Sequence, residues 1–340
     1  MRDAGWHGSL PDNAALPDRP HPPSRAVPDF PHLAPLLNAI ATMAPSTDAR
    51  RVFHGRGGLH PGCEHWALDL YPPVLLLTSY QPVAEAELAT LQAALAARWA
   101  TLHPGEPLNL VCQVRDEVRA DTRLLCGSVP EPHVVSEAGA RFVVHLLRGF
   151  NHGLFLDMAE GRRWVRETLA ARPGGRVLNL FAYTCAFSVV ALQAGAGQVV
   201  NVDMAAGALS IGKRNHALNG LTHGASFLPH DVFSSWGKIG RSGPYDLVVL
   251  DPPSYQKGSF VAEKDYARLL RRLPDLLAPG GHALLCLNSP KRDVAFLQDL
   301  MAAEAPSLRF VERVANPAVY ADVSPERALK VLAYENAQNG

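Results

Sequence analysis

Neither charge is in excess in this chain. Its 32 Lys and Arg balance 32 Asp and Glu among 340 residues, so no global field draws it to nucleic acid or an anionic membrane, although a local basic stripe is enough to hold phosphates. Lysine is scarce, six against 26 arginines and none before Lys213, a bias that a GC-rich genome also produces. The five cysteines (Cys63, Cys112, Cys126, Cys185, Cys286) are odd in number and never spaced CxxC. That excludes a disulfide framework and a zinc site, and it fits a reducing cytoplasm. No stretch approaches the ~18 apolar residues of a membrane span, and residues 1–11 lack the apolar core of a signal peptide. The 14 histidines include no HExxH, so no metal is expected. Internal repeats and low-complexity tracts are absent as well. The expectation is a cytoplasmic protein of roughly two domains with no membrane contact.

Nine prolines fall in the first 45 residues, which forbids regular structure before Phe30 and predicts a flexible arm over 1–29. Phe30, Leu33, Leu37, Ile40 and Met43 then repeat at helical spacing. Residues 30–150 read as a small α+β domain, with strands at 74–78, 108–114 and 141–147 and a helix over 85–101. The glycine-rich segment 53–60 has no Lys-Ser/Thr ending and reads as a tight turn rather than a phosphate loop.

From residue 151 to 340 a second domain is expected, and beyond Gly174 the pattern alternates. Strands at 177–181, 198–203, 225–228, 247–251 and 283–288 enclose helices at 188–194, 205–219 and 261–277. Such alternation makes a parallel sheet with helices on both faces. Two further strands, 308–314 and 328–334, have no full helix between them and predict an antiparallel hairpin at the end of the sheet.

In an open α/β sheet, ligands bind beyond the carboxyl ends of the strands. The first strand leads into Phe181-Ala-Tyr-Thr-Cys-Ala-Phe-Ser188, small enough at Ala182 and Thr184 for close approach, yet without GxGxxG. Asp203 ends the second strand and suits either a ribose diol or the cap of the next helix. Asp231 and Phe233 follow the third, as adenine contacts or as a cap and a core aromatic. The fourth ends in Asp251-Pro252-Pro253-Ser254-Tyr255. Consecutive prolines remove two N–H donors and leave a rigid row of acceptors, able to hold an amino or hydroxyl nucleophile in line with an electrophile. Tyr255 is placed to stack on a planar base.

These segments together resemble the class I S-adenosylmethionine-dependent methyltransferases, and more narrowly the bacterial family of large-subunit ribosomal RNA methyltransferases, over residues 137–335. The resemblance implies a Rossmann-like seven-stranded sheet, mostly parallel with an antiparallel C-terminal hairpin, behind the small α+β domain. It implies S-adenosylmethionine as cofactor, with Asn179, Phe181 and Tyr183 around its methionine part, Ala182 and Thr184 also in the cofactor site, Asp203 on the ribose, Asp231 and Phe233 at the adenine, and Asp251 to Tyr255 where the methyl group leaves. Asp157 and Arg162, in Gly153-Leu-Phe-Leu-Asp157 and beyond, carry over to the cofactor site. The chain departs from the family pattern at Ala159, Gly161 and Cys185, the last where a glycine is usual.

Some members methylate a cytosine carbon through a cysteine. Here Asn288 stands at that place and Cys286 lies two residues earlier, so Cys286 reads as core, Asn288 as a cleft-lining donor, and transfer to a base nitrogen of ribosomal RNA is favoured. The expected partner is ribosomal RNA or an assembly intermediate, with a basic rim of Arg268, Arg271, Arg272, Lys291 and Arg292; a homodimer is compatible with the sequence. A protein or metabolite methyltransferase, and a cofactor-binding RNA module without turnover, are the alternatives.

Overall fold

Two sheets organise the chain in the computed structural model, which describes residues 30–116, 119–253, 255–256 and 260–337. The arm predicted over 1–29 lies outside the described residues. A 3-10 turn at Pro31–Leu33 opens helix α1 (Ala34–Thr42). Strands β1 (Arg50–His54), β2 (Trp66–Tyr71), β3 (Val74–Ser79), β4 (Asn109–Arg115) and β5 (Ala120–Cys126) form the first sheet in sequence order. Helix α2 (Glu85–Leu102) makes the crossover between parallel β3 and β4; the other neighbours are antiparallel. It buries the predicted stripe Leu88, Leu91, Leu95 and Trp99.

Period-two alternation gives this sheet two different faces. Leu68, Leu70, Leu75 and Leu77 share one core with α1 and α2. Tyr71, Val74, Leu76 and Val111 pack on the other side with hairpin β6 (His133–Glu137) and β7 (Ala140–Val144). Because both faces are covered, β2 and β3 are buried at every residue.

Next come α3 (Ala159–Ala170), β8 (Arg176–Leu180), α4 (Ala186–Gln193), β9 (Gln198–Val202), α5 (Ala206–Leu218), β10 (Ala225–Leu228), α6 (Trp236–Arg241) and β11 (Tyr245–Leu250). The short pair β12 (Tyr255–Gln256) and β13 (Phe260–Val261) leads to α7 (Ala262–Leu270), α8 (Leu273–Leu276), β14 (Leu277–Leu287), α9 (Val294–Glu304), β15 (Leu308–Arg313) and β16 (Lys330–Asn336). The second sheet has the order β10-β9-β8-β11-β14-β16-β15, parallel through β14 and reversed only at β16. This is the predicted seven-stranded Rossmann-like sheet. The single helix expected over 261–277 is interrupted at Arg271 and Arg272, because Pro274 cannot donate into a continuing helix and instead starts α8. No helix among the described residues is long and apolar enough to cross a membrane.

The β15–β16 connection returns to the first sheet. Val323 donates its N–H to Gly57 O (2.8 Å), and a Cβ on Gly57 would fall 2.0 Å from Ala321 O, so only glycine lets the strands' connection dock there.

Candidate functional site

The cleft lies beyond the carboxyl ends of β8, β9, β10 and β11, encloses about 530 Å³, and is lined by Asp157, Arg162, Phe181, Ala182, Tyr183, Thr184, Asp203, Asp231, Asp251, Pro252 and Pro253. Its floor is the turn after β8. Phe181, Tyr183 and Cys185 all have left-handed backbone there (φ 58°, 47° and 62°), a conformation that costs ~1–2 kcal/mol per non-glycine residue. Surrounding bonds hold it. Tyr183 N donates to Asp203 Oδ2 (2.8 Å), Thr184 Oγ1 to Gly153 O (2.6 Å), and Asn215 Nδ2 to Thr184 O (2.9 Å). Cys185 is fully buried beside Ala182 and Leu209, where burial pushes its thiol well up. Room for it comes from α5: a Cβ on Gly212 would lie 2.5 Å from Cys185 Sγ.

Asp203 secures two backbone N–H groups at once. Its Oδ1 accepts the Ala205 N–H (2.8 Å) at the start of α5 while Oδ2 holds Tyr183, and the half-buried carboxylate still borders the cleft. Asp231 similarly accepts Ser234 N (3.0 Å) from the cleft wall. Asp251 is pushed up to about 7, by burial first and then by the charge of Asp157, with Arg162 opposing. Burial likewise raises Asp157. Burial of a carboxyl group disfavours its charged form.

Two predicted residues, Asn179 and Phe233, stand apart from the lining. Asn179 is buried between strands and donates to Asn201 Oδ1 (2.9 Å), in a polar chain that continues through Ser188 to His216. The Phe233 ring is covered by Arg268, 3.9 Å from its centroid, and stacks toward Phe260. Of Tyr255 only the backbone is described, paired with Val261; Ser254 lies outside the described residues. Arg162 reaches the cleft, but its Nε and Nη2 are spent on Glu137 (2.6 and 2.7 Å) and Phe155 O (2.7 Å). It braces β6 against α3 rather than offering a free cation. Sequence reasoning missed His230, Val232, Met158 and Phe187 in the wall; His230 and Val232 flank Asp231 and follow from its placement.

Asn288 does line the cleft. Cys286 is fully buried in β14, its thiol raised far above the usual range by burial and by Asp251 and Asp157. The expected basic rim is largely neutralised. Arg268 pairs with Asp265 (2.7 Å), Arg271 with Glu304 (2.7 Å), Arg272 with Asp275 (3.6 Å) and Arg292 with Glu263 (3.2 Å).

A sequence model of the S-adenosylmethionine-dependent methyltransferases matches residues 50–335. The chain belongs to that family. It is 30% identical over 244 residues to ribosomal RNA large subunit methyltransferase I of Aeromonas salmonicida, covering 70% of this chain and 61% of that protein. To a ribosomal RNA large subunit methyltransferase of Deinococcus radiodurans it is 34% identical over 244 residues (69% and 58%). It is 37% identical over 182 residues to ribosomal RNA large subunit methyltransferase K/L of a Psychrobacter species, covering 51% of this chain and 22% of that protein. The chain thus matches about three-fifths of the length of the first two relatives and under a quarter of the third. Among solved structures, a SAM-dependent methyltransferase from Streptococcus mutans shares the fold (TM-score 0.74, 22% identity, 89% of this chain and 81% of that one), as does a methyltransferase complexed with SAH (TM-score 0.72, 24% identity, 90% and 80%).

The cleft fits the family's cofactor, S-adenosylmethionine. Its volume lies within the range of small-molecule sites, Ala182 and Thr184 leave the backbone approachable, and three carboxylates at successive strand ends offer acceptors for hydroxyl, amino and ammonium donors. Among the described residues no group of three or more His, Cys, Asp or Glu is placed to hold a metal.

Proposed function

We propose that this chain methylates a base nitrogen of ribosomal RNA. The observation that carries the reading is the row Asp203, Asp231, Asp251 along one cleft, ending in the rigid Asp-Pro-Pro, in a chain similar over 244 residues to ribosomal RNA large subunit methyltransferases. Asp203 and Asp231 bind the ribose and adenine ends, while Ala182, Tyr183 and Thr184 border the methionine end. When bound, the cofactor supplies an electrophilic methyl group on a sulfonium. Asp251 and the Pro252 carbonyl orient the acceptor amine, and holding reactants at near-attack distance supplies several kcal/mol of the barrier, up to ~7–11. Asp251, poised near neutrality, takes the proton that the nitrogen sheds as it gains the methyl carbon. Nitrogen is favoured over carbon because no cysteine lines the cleft among the described residues and Cys286 is locked in the core. Two domains, 30–150 and 151–340, share the work: the second binds the cofactor and the first faces the acceptor.

The test incubates the full chain with methyl-labelled S-adenosylmethionine and, separately, ribosomal RNA, ribosomal protein and small metabolites. Label in RNA that vanishes with Asp251→Ala supports the reading. Label confined to protein or metabolites refutes it.

A further inference from the structure

A second cavity of about 340 Å³ opens between the first sheet and the β15–β16 connection, and it meets the cofactor cleft at Asp157 and Asn288. Its wall is the face of the first sheet that packs on hairpin β6–β7, continued past the hydrophobic contact. Along β4 that face runs Val111, Gln113, Arg115, and along β3 it runs Leu76, Thr78. Arg51 and Asp69 are register partners on β1 and β2 and pair through both guanidinium edges (2.5 and 3.0 Å). That cation is neutralised.

Arg115 is not. It is half-buried, and its neighbours are the Gln113 side chain and His152 Nε2 (2.8 Å). His152 donates through Nδ1 to His145 O (3.0 Å), and burial holds it down to about 4, so it is a neutral acceptor. Among the described residues Arg115 has no carboxylate ion pair, whereas Arg268 of α7 and Arg271 and Arg272 just beyond it each have one. A guanidinium taken out of water without an anion carries a desolvation cost that a bound anion removes. Arg56 also lines the cavity, with no ion pair among the described residues, its guanidinium 4.3 Å over the Tyr80 ring. Opposite, Asn316 leaves a buried Oδ1 without a partner.

We propose that this cavity is the acceptor pocket and takes one nucleotide of the RNA, its phosphate on Arg115 and Arg56 and its base directed to Asp157 and Asn288 at the mouth of the cofactor cleft. The proposal rests on the ribosomal RNA reading above. The size admits a single unstacked nucleotide and not a duplex, as base chemistry requires. Phosphate oxygens meet two guanidinium groups that have no carboxylate partner among the described residues.

The test measures binding and methylation of in vitro transcribed large-subunit ribosomal RNA by the full chain across a salt series. Arg115→Gln and Arg56→Gln are each expected to weaken RNA binding about tenfold and to lower the salt slope by about one. Arg115→Lys keeps the charge and most of the affinity. S-adenosylmethionine affinity stays at the wild-type value in all three, and Arg309→Gln, on the far edge strand and paired with Glu335, leaves RNA binding unchanged. Should Gln at 115 disturb the sheet, the exposed Arg56 gives the same reading. RNA affinity and salt slope unchanged in Arg56→Gln and Arg115→Gln, with wild type methylating RNA, overturns the pocket and leaves the enzyme's substrate class intact. Wild type that neither binds nor methylates RNA overturns both.

Discussion

Gly212 and Cys185 are coupled by a contact that a single methyl group would break, and the coupling can be measured. In Gly212→Ala the new Cβ sits 2.5 Å from Cys185 Sγ and 3.1 Å from its Cβ. Cys185 cannot swing aside, because it is fully buried and its backbone is held left-handed at φ 62°. Overpacking of this kind costs ~1–3 kcal/mol, against a helix-propensity gain of ~1 kcal/mol for replacing glycine. The net expectation is a loss of about 1 kcal/mol. In a Cys185→Gly background both close contacts vanish and the nearest remaining atom, Thr184 C at 3.4 Å, is an ordinary neighbour. There the same substitution stabilises by ~1 kcal/mol, so the cycle yields a coupling of about 2 kcal/mol. Urea denaturation of the four proteins at a common slope reads the effect, and SAH affinity reports whether the turn after β8 has moved. A Gly212→Ala effect of the same sign and size in both backgrounds would refute the account.

Other outcomes follow from the cleft. Asp251 must be ionised to take a proton, so transfer rises through about pH 7 in wild type, and the rise is missing from the residual rate of Asp251→Asn. Its carboxyl is raised in the fold above the ordinary ~3.9, so the stability it contributes is fully present below about pH 4 and lost as pH climbs through 7; urea midpoints of wild type and Asp251→Asn should diverge over that window. Glu137→Gln leaves Arg162 buried without its anion and is expected to cost ~3–5 kcal/mol, whereas a joint Glu137→Leu, Arg162→Met change costs far less; calorimetry separates them. Cys286→Ser, deep in β14, should keep methyl transfer within about twofold while lowering the unfolding midpoint, and total loss of transfer with the fold intact would restore a cysteine-dependent mechanism.

What the sequence disclosed follows from how local each signal is. Runs such as Leu247–Val249 are short, apolar and followed by helical spacing, so the strands β8, β9, β10, β11 and β14 were readable, and with them Asp203, Asp231 and Asp251 beyond the ends of β9, β10 and β11. Helix α3 escaped because its buried face includes Gly161 and Arg162, which break the apolar stripe. Strand β1 escaped because Arg50 and Arg51 disguise it and its pairing with β2 is long-range. The acceptor-side groups were invisible for the same reason: Arg51, Asp69, Arg115 and Tyr320 are brought together only by sheet pairing and by the returning β15–β16 connection. Asn179 was assigned through the family resemblance; its side chain points along the interstrand chain to Asn201, a direction that a motif does not encode.

The docking of Ala321 and Val323 against Gly57 also sets a timetable for synthesis. One wall of the second cavity is translated by residue 115 and the opposite wall only by residue 329. Domains fold as they emerge, amino-terminal parts first, so the first sheet waits for a closing segment more than two hundred residues downstream. A nascent chain has no complete second cavity until that segment leaves the ribosome.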